Sequence, residues 1–518
     1  MSTEVKTPLG PKSHPKALTG VNLILGLAMA AVSGAICMQI IGRIGITPNT
    51  SIIGAIVAIT LARVVASLRP LDSQNIIQTY TSAGGFSAAN AGLLSVAIVF
   101  LMGQPALVYP LLIGSGIGVL LDVWFVTQLY NTKVYPAEGA WPPGVATAEA
   151  LWAADEGGKR ARRLVEGIIA GIIGTYFKLP MAGIGIAFIA NIFAITALGI
   201  GLLIRGYAPV LFGVNLGETY VPHGMMIGAG LVQLVQAFLI ISRKQEEKET
   251  AQTEANEGIP KKIVIHFALF SVGALVMALI AGALWQMSLG QIIVFTLFAG
   301  FAAAASTIIV GLCAMHSGWF PAFAVTIIFL TIGMFLGIPA VPLALLTGYT
   351  ASTGPLFADF GYDLKTGWLI RGRGQDMAYE KDGRKQQFIA EAVGGIMGLV
   401  MVGLFAGMHF KLDLLPPVSR VFAATINAGA DPGIVRQLIL WSIPGAAIQV
   451  IGGPGRAMGV LFATGLLIMS PIYGWGLIAA VIARRIIGEE PMKVREAGLI
   501  AGDGIYGFVN SIIRTFFA

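Results

Sequence analysis

The sequence predicts an all-α polytopic membrane protein, on three observations. Of its 518 residues, 56% are hydrophobic and 11% are charged, whereas soluble globular chains contain roughly 25% charged residues. Apolar runs recur along the whole chain, and a membrane-spanning helix needs about 20 such residues. A phrase of small residues also occurs twice, about half a chain length apart. We therefore expect roughly 14 to 16 transmembrane segments, including broken or re-entrant helices, in two pseudo-repeat halves.

The predicted spans follow the apolar runs in chain order. In the first half they are Val21–Ile46, Ser51–Leu68, Leu93–Met102, Leu107–Leu129, Leu164–Phe177, Ile184–Ile204 and Met225–Ile241. In the second half they are Ile263–Trp285, Ile292–Ala314, Ala322–Leu336, the segment Tyr349–Leu369, Phe388–Met408, Gln437–Ile451, Ala457–Met469, Trp475–Ile487 and Leu499–Phe517.

A polar run near the chain midpoint divides the two halves. The residues "SRKQEEKETAQTEANEGIPKK" carry mixed charge and no apolar periodicity, which is typical of a solvated linker. We predict a membrane half over 1–242, a cytoplasmic linker over 243–262 and a second membrane half over 263–518. Lysines and arginines in the loops predict that the N-terminus lies in the cytoplasm. The net charge of +7 lies between apolar runs, so the bilayer, and not nucleic acid, is the expected partner.

The repeated phrase is the first candidate site. "YTSAGGFSAANAG" starts at Tyr80 and "YTASTGPLFADFG" starts at Tyr349, and we call the separation of these two tyrosines the repeat offset. Irregular backbone survives in lipid only when it is buried in protein or lines a watery cavity. Many transporters build a midplane binding site from broken helices at matching places in two halves. The alternative is close helix packing through small residues.

On the first interpretation both segments break, at Gly84-Gly85 and at Thr353-Gly354-Pro355, and they face a shared polar site. Asn90 and Asp359 fall opposite each other in the two phrases, so they are expected on opposite walls. The predicted substrate-binding residues are Tyr80, Thr81, Gly84, Gly85, Asn90, Tyr349, Thr350, Gly354 and Asp359.

Acidic residues near the apolar runs are candidates for proton coupling, because a carboxyl group within a membrane is usually functional. Asp359 and Asp363 are four residues apart and share a helix face, and two acids in a dry site can share a proton. Lys365 could pair with one of them. The predicted proton-coupling residues are Asp359, Asp363, Glu138, Glu149 and Glu391.

Three of these assignments have alternatives. Glu138 and Glu149 flank a Pro-Pro turn, and this stretch is an extramembrane loop on the other interpretation. Glu391 aligns with Glu166, at a separation shorter than the repeat offset, through "GKRARRLVEGIIAGIIG" and "GRKQQFIAEAVGGIMG". The alternative for this pair is an ordinary solvated helix start.

No pattern for covalent or metal chemistry accompanies these acids. The P-loop signature is missing, the five histidines lack zinc-ligand spacing, and the two cysteines lie in apolar runs. We expect no enzymatic activity, no cofactor and no metal site. The energy for transport then comes from an ion gradient or from a partner chain.

Several stretches together resemble the oligopeptide transporter family, which includes the Yellow Stripe-like metal-chelate transporters. They are "QTYTSAGGFSAANAGLL", "VYPAEGAWPPGVATAEAL", "ADFGYDLKTGWLIRG", "GRKQQFIAEAVGGIMG" and "EAGLIAGDGIYGFV". The Asp-Leu-Lys-Thr-Gly run at 363–367, followed by the basic Gln-Gln element at 384–387, is the most specific match. The long acidic N-terminal region and the Asn-Pro-Gly signature of fungal members are absent, so the resemblance implies a prokaryotic-type member in a bacterial inner membrane.

The resemblance implies proton-coupled uptake of small peptides or of metal complexed to an amino-acid-like chelator. Other classes stay open at this point: an uncoupled channel or facilitator, a sodium-coupled transporter, and a membrane-embedded enzyme, which the missing catalytic residues disfavour. The substrate is not defined, and a homodimer is one option for assembly.

Overall fold

The described part of the chain is almost entirely helical. The structure is a computed structural model, and it describes residues 13–44, 47, 50–216, 219–242, 258–318, 320–429, 432–453, 456–468 and 470–516. Within these residues there is no β-strand, apart from one isolated bridge between Tyr130 and Tyr135. The predicted all-α membrane class is therefore confirmed.

The helices are numbered in chain order. The first ten are α1 (Gly20–Ile44), α2 (Thr50–Val64), α3 (Leu71–Phe86), α4 (Leu94–Leu101), α5 (Val108–Leu129), α6 (Pro142–Glu156), α7 (Gly158–Tyr176), α8 (Met181–Ile189), α9 (Ile192–Phe212) and α10 (Val221–Ser242). The others are α11 (Ile259–Ile280), α12 (Leu289–Ser317), α13 (Ala322–Phe335), α14 (Ala340–Ser352), α15 (Pro355–Ile370), α16 (Met377–Lys411), α17 (Pro417–Ala428), α18 (Pro432–Gly452), α19 (Met458–Leu467), α20 (Pro471–Ile487) and α21 (Arg495–Phe516).

Many of these helices are too short to cross a bilayer alone. By length and composition, seven spans among the described residues are long and apolar enough: Gly20–Gly42, Leu71–Leu101, Pro105–Leu129, Ile192–Phe212, Ile259–Ile280, Leu289–Ser317 and Met377–Lys411. The predicted single span Ile184–Ile204 is wrong, because the structure divides it between α8 and α9. Asn191 causes the division: its side-chain oxygen accepts from the amides of Phe193 and Ala194 and caps α9.

The two phrases behave differently. The predicted break in the second is confirmed, because α14 ends at Ser352, and Thr353 and Gly354 leave the helical conformation before α15. The predicted break in the first at Gly84-Gly85 is wrong. There α3 continues to Phe86, and a π-helical turn over Ser87–Leu93 joins it to α4. Proline accounts for the difference, since only the second phrase has a residue, Pro355, that lacks an amide hydrogen.

Helix starts recur along the chain with the spacing of the two phrases. The first residues of α1, α3 and α5 precede those of α12, α14 and α16 by the same repeat offset that separates Tyr80 from Tyr349. Ten helices precede α11 and ten follow it among the described residues. Residues 243–257 of the predicted linker lie outside the described residues, and α11 begins at Ile259, within the linker's predicted range.

The centre of the molecule is built from α3, α15 and α16. These three helices pack against one another, and α1 and α2 pack on α3 from outside. The packing is tight at glycines: a Cβ atom on Gly398 of α16 would clash with the carbonyl oxygen of Gly84 on α3. This close approach brings the polar faces of the three helices together inside the protein.

Candidate functional site

Three carboxyl groups meet between α15 and α16. Asp359 and Asp363 lie one helical turn apart on α15, and Glu391 faces them from α16. One oxygen of each lies within 4.8 Å of the others. All three side chains are buried, with exposures of 1%, 0% and 0%. The predicted face shared by Asp359 and Asp363 is thus present, and Glu391 joins it. We call this group the carboxyl cluster.

Hydroxyl groups from α2 and α3 supply most hydrogen bonds to Asp359. The hydroxyl of Ser82 lies 2.9 Å from both carboxyl oxygens. Thr50 and Ser51, at the start of α2, donate to Oδ1 at 3.2 and 3.3 Å. Because hydroxyl groups can donate or accept, this shell can accommodate either a charged or a protonated carboxyl group.

The other two acids have fewer partners. Oδ1 of Asp363 accepts from the side-chain amide of Gln78 at 2.6 Å. Oδ2 of Asp363 and both carboxyl oxygens of Glu391 have no hydrogen-bond partner among the described residues. A buried polar atom without a partner lowers stability by about 1–3 kcal/mol. These oxygens are therefore the places in the cluster where a proton or a cation would bind.

The three carboxyl groups cannot all be ionised without compensation. Two unit charges 4–5 Å apart repel by about 3–4 kcal/mol at an effective dielectric constant near 20, and burial adds a desolvation penalty for each. Protons or a bound cation must offset this charge. The donors are all oxygen atoms, which are the ligands of hard cations. The geometry thus permits proton exchange and, equally, binding of a small hard cation.

A buried ion-pair network supports the cluster from the N-terminal end of α16. The side-chain amide of Gln387 donates to the carbonyl oxygen of Asp363 at 2.6 Å, and its own oxygen accepts from Arg371 at 2.8 Å. Arg371 also binds both carboxyl oxygens of Glu380, at 2.8 and 3.1 Å. This network fixes α15 against α16, and it uses the basic Gln-Gln element that the sequence singled out.

Four of the predicted substrate residues of the first phrase make contacts within the protein: Tyr80, Thr81, Gly84 and Gly85. A Cβ atom on Gly84 would lie 2.5 Å from the backbone of Ala30, and one on Gly85 would clash with the hydroxyl of Ser33. Thr81 bonds to its own helix at Ile77. The hydroxyl of Tyr80 donates to the carbonyl oxygen of Ala17 at 3.2 Å. The close-packing interpretation therefore accounts for these four residues.

In the second phrase, Tyr349 and Thr350 are also buried. The hydroxyl of Tyr349 donates to the carbonyl oxygen of Phe270 at 3.1 Å. Gly354 has φ +98°, which only glycine adopts readily. Its role is to form the break between α14 and α15.

Asn90 and Asp359 bind hydroxyl groups that lie close together in the sequence, on Thr47 and on Thr50 at the start of α2. Oδ1 of Asn90 accepts from the hydroxyl of Thr47 at 3.0 Å, and Asp359 accepts from Thr50, three residues later. Both side chains are buried, Asn90 with 9% exposure. Asn90 and Asp359 thus bind residues three apart, and no direct bond joins the two side chains.

The remaining predicted acids lie outside the cluster. Glu149 forms an ion pair with Arg160 at 2.6 Å, and Glu138 is exposed in the turn before α6. Glu166 pairs with Arg162 and Arg495 at the surface. The predicted pairing of Lys365 with an acid of α15 is wrong. Its ammonium group instead donates to the carbonyl oxygen of Ala137 at 2.7 Å and lies over the Trp368 ring.

Sequence reasoning missed Asp122, a fully buried acid on α5. Its Oδ1 accepts from the hydroxyl of Thr307 at 2.8 Å, and its Oδ2 accepts from the amide of Gly354. Asp122 therefore caps the start of α15 at the break. A signal was present, since "GIGVLLDVWFV" has one charged residue within an apolar run, and an ionisable residue there is a functional candidate by default.

Comparisons with known proteins give one match. The family model described as "OPT oligopeptide transporter protein" matches residues 17–242 and 231–514. No curated protein and no solved structure matches the chain.

Proposed function

Because this chain belongs to the OPT oligopeptide transporter family, we propose that it is a secondary active transporter that imports small peptides, or metal chelates of similar chemistry, together with protons. Members of this family are transporters rather than enzymes. The protein is an integral membrane protein with an oligopeptide-transporter fold, and the coupling ion and the substrate class are the proposed part.

The carboxyl cluster is the observation that carries the proposal. A coupling site must bind an ion reversibly inside the membrane, and ionisable groups at such depth mark proton pathways in pumps and transporters. Asp359 has hydroxyl partners that fit both of its protonation states, and Glu391 has none among the described residues. We propose that Asp359, Asp363 and Glu391 exchange the coupling proton.

Asn90 of the first phrase and Asp359 of the second phrase bind hydroxyl groups three residues apart, on Thr47 and Thr50, which supports a role in substrate binding. We propose that a peptide binds between Asn90 and Asp359, beside Thr47 and Thr50. The amino group of the peptide would then neutralise one carboxylate of the cluster. Binding of substrate and of protons would be linked by this shared charge.

We also propose a cytoplasmic N-terminus in a bacterial inner membrane. Lys16 pairs with Asp382 of α16 at 2.8 Å, and Lys262 at the start of α11 reaches the end of α5 at Gln128. These cations therefore gather at one end of the helices, with Arg371 and Arg384. Such an excess of lysine and arginine is typical of cytoplasmic loops.

Transport by purified protein in liposomes tests the coupling. A thermal-shift screen of di- to pentapeptides and of iron or nickel chelates first provides the probe, since a ligand of the folded state raises apparent stability. We expect the probe to accumulate against its gradient in sodium-free buffer, and an uncoupler to abolish the accumulation. Accumulation that requires sodium would show that sodium, and not the proton, is the coupling ion. Equilibration without accumulation under any gradient would indicate a facilitator.

A further inference from the structure

Asp122 holds open the break between α14 and α15. Its carboxyl group binds the amide of Gly354, where the chain leaves α14, and the hydroxyl of Thr307 on α12 fixes its other oxygen. Gly354 is the residue immediately before α15, so this bond fixes the chain where that helix begins. The break and Asp122 therefore stabilise each other.

Asp122 has a counterpart in the other half of the chain. Glu391 follows it at the repeat offset, which also separates Asn90 from Asp359. The same offset separates the starts of α5 and α16, which carry the two acids. Gly354, which Asp122 binds, corresponds by this offset to Gly85 of α3. The repeat thus places an acid and a glycine at matching positions in the two halves.

The two copies run in opposite directions through the protein. Helix directions follow from the order of residue pairs in contact. For α3 and α16 these pairs are Tyr80–Gly394 and Gly84–Gly398, and for α5 and α16 they are Val119–Gly395 and Leu112–Gly403. For α5 and α14 they are Leu111–Gly348 and Gly118–Ser352. The order of these pairs makes α3 parallel to α16, α5 antiparallel to α16, and α5 parallel to α14. Consequently α3 is antiparallel to α14, as in transporters with inverted repeats.

The copies differ in conformation. In the second copy the helix is broken, and Asp122 caps the break. In the first copy the helix is continuous through Gly85, and both oxygens of Glu391 are without a hydrogen-bond partner among the described residues. The π-helical turn that follows, over Ser87–Leu93, is a local irregularity of a kind found often at functional sites. One acid is thus engaged as a cap while its counterpart is not.

We propose that Asp122 and Glu391 alternate as caps during transport, and that Asp122 is a positioning residue of the carrier. In the alternate state α3 opens near Gly85 and Glu391 binds the freed amides. The segment α14–α15 then closes to a proline-kinked helix, which membrane proteins accommodate, and Asp122 loses its amide partner. Since the halves are inverted, this exchange of conformations makes the central site accessible from the other side of the membrane.

The exchange rests on the proposed carrier function, but its test needs neither substrate nor gradient. A disulfide between Gly118→Cys and Thr353→Cys reports the state described here, because a Cβ atom on Gly118 would lie 3.1 Å from the Thr353 side chain. The background lacks the two buried thiols, through Cys37→Ala and Cys313→Ala. The fraction of protein that forms this disulfide within a short oxidant pulse in native membranes gives the ratio of molecules in the described state to molecules in the alternate state.

We expect Asp122→Ala to lower this ratio about fivefold, which corresponds to the loss of about 1 kcal/mol from a capping side chain. Glu391→Gln, which weakens the alternate cap, should leave the ratio unchanged or raise it. Combining Glu391→Ala with Asp122→Ala should restore the ratio towards that of the parent, because both states then lack a cap.

A purely structural role for Asp122 predicts a different pattern. In that case the double variant would crosslink no better than Asp122→Ala alone, and this result would overturn the inference. An unchanged ratio in Asp122→Ala would overturn it as well. Because the crosslink is measured without a proton gradient, either failure leaves the proposed proton coupling standing, and failure of that coupling leaves the crosslinking result interpretable.

Discussion

Replacing Asp359 by asparagine separates coupling from the other functions of the cluster. Asparagine has nearly the same size and keeps one oxygen that can accept from Ser82, while the hydroxyl groups of Thr50 and Ser51 can turn to accept from its amide. We therefore expect the free energy of unfolding to change by no more than about 1–2 kcal/mol. The variant cannot, however, bind or release a proton at this position.

The effect on accumulation can be calculated. One proton moving through 100 mV supplies about 2.3 kcal/mol, which sustains a concentration ratio of about 50-fold at equilibrium. In liposomes with a potassium diffusion potential of this size, the wild type should approach that ratio with the peptide found by the thermal-shift screen. Asp359→Asn should reach a ratio near one, while exchange of internal for external peptide continues.

A second acid, on α16, provides a matched control for Asp359→Asn. Asp382 is a partly exposed acid that pairs with Lys16, and Asp382→Asn should accumulate peptide as the wild type does. Accumulation at the wild-type ratio in Asp359→Asn would refute the role of the carboxyl cluster in coupling. If a folded Asp359→Asn variant loses both exchange and accumulation, Asp359 is required for peptide binding itself and the variant does not isolate its part in coupling to protons.

Three further variants test the packing and the charges around the cluster. Glu391→Met removes two buried oxygens without partners and should raise the apparent melting temperature, through a gain of about 1–3 kcal/mol, while transport is lost. Gly84→Ala should reduce the yield of folded protein, because its Cβ would lie 2.5 Å from Ala30, whereas Gly407→Ala, with open space around it, should not. Arg371→Lys should lower the apparent melting temperature, since lysine cannot reproduce the bidentate contact with its carboxylate partner.

The sequence was most informative where local periodicity determines the geometry. The four-residue spacing of Asp359 and Asp363 places both on one face of any helix that contains them, and the structure has them there. Glu391 was also a candidate, but its alignment with Glu166 was misleading. The stretches compared were rich in glycine and cations, so composition produced the match. The constant repeat offset instead pairs Glu391 with Asp122, which becomes evident once the helix boundaries are known.

Glycine-rich stretches were harder to interpret from sequence alone. The same Gly-containing phrase forms a continuous helix in one half and a break in the other, and composition does not distinguish these outcomes. The deciding features are Pro355 and the capping acid on α5, which lies in the other half of the chain. The partner of Lys365 was likewise determined by tertiary packing, because the carbonyl oxygen that it binds belongs to a distant turn.

Simultaneous measurement of peptide and proton entry tests the central claim most directly. Purified wild-type protein in sodium-free liposomes, loaded with a pH-sensitive dye and given a potential that is negative inside, should acidify the interior when the screened peptide is added outside. Acidification should follow peptide entry in a fixed ratio, and it should be absent in Asp359→Asn. Peptide entry without any acidification in the wild type would contradict proton coupling through the carboxyl cluster.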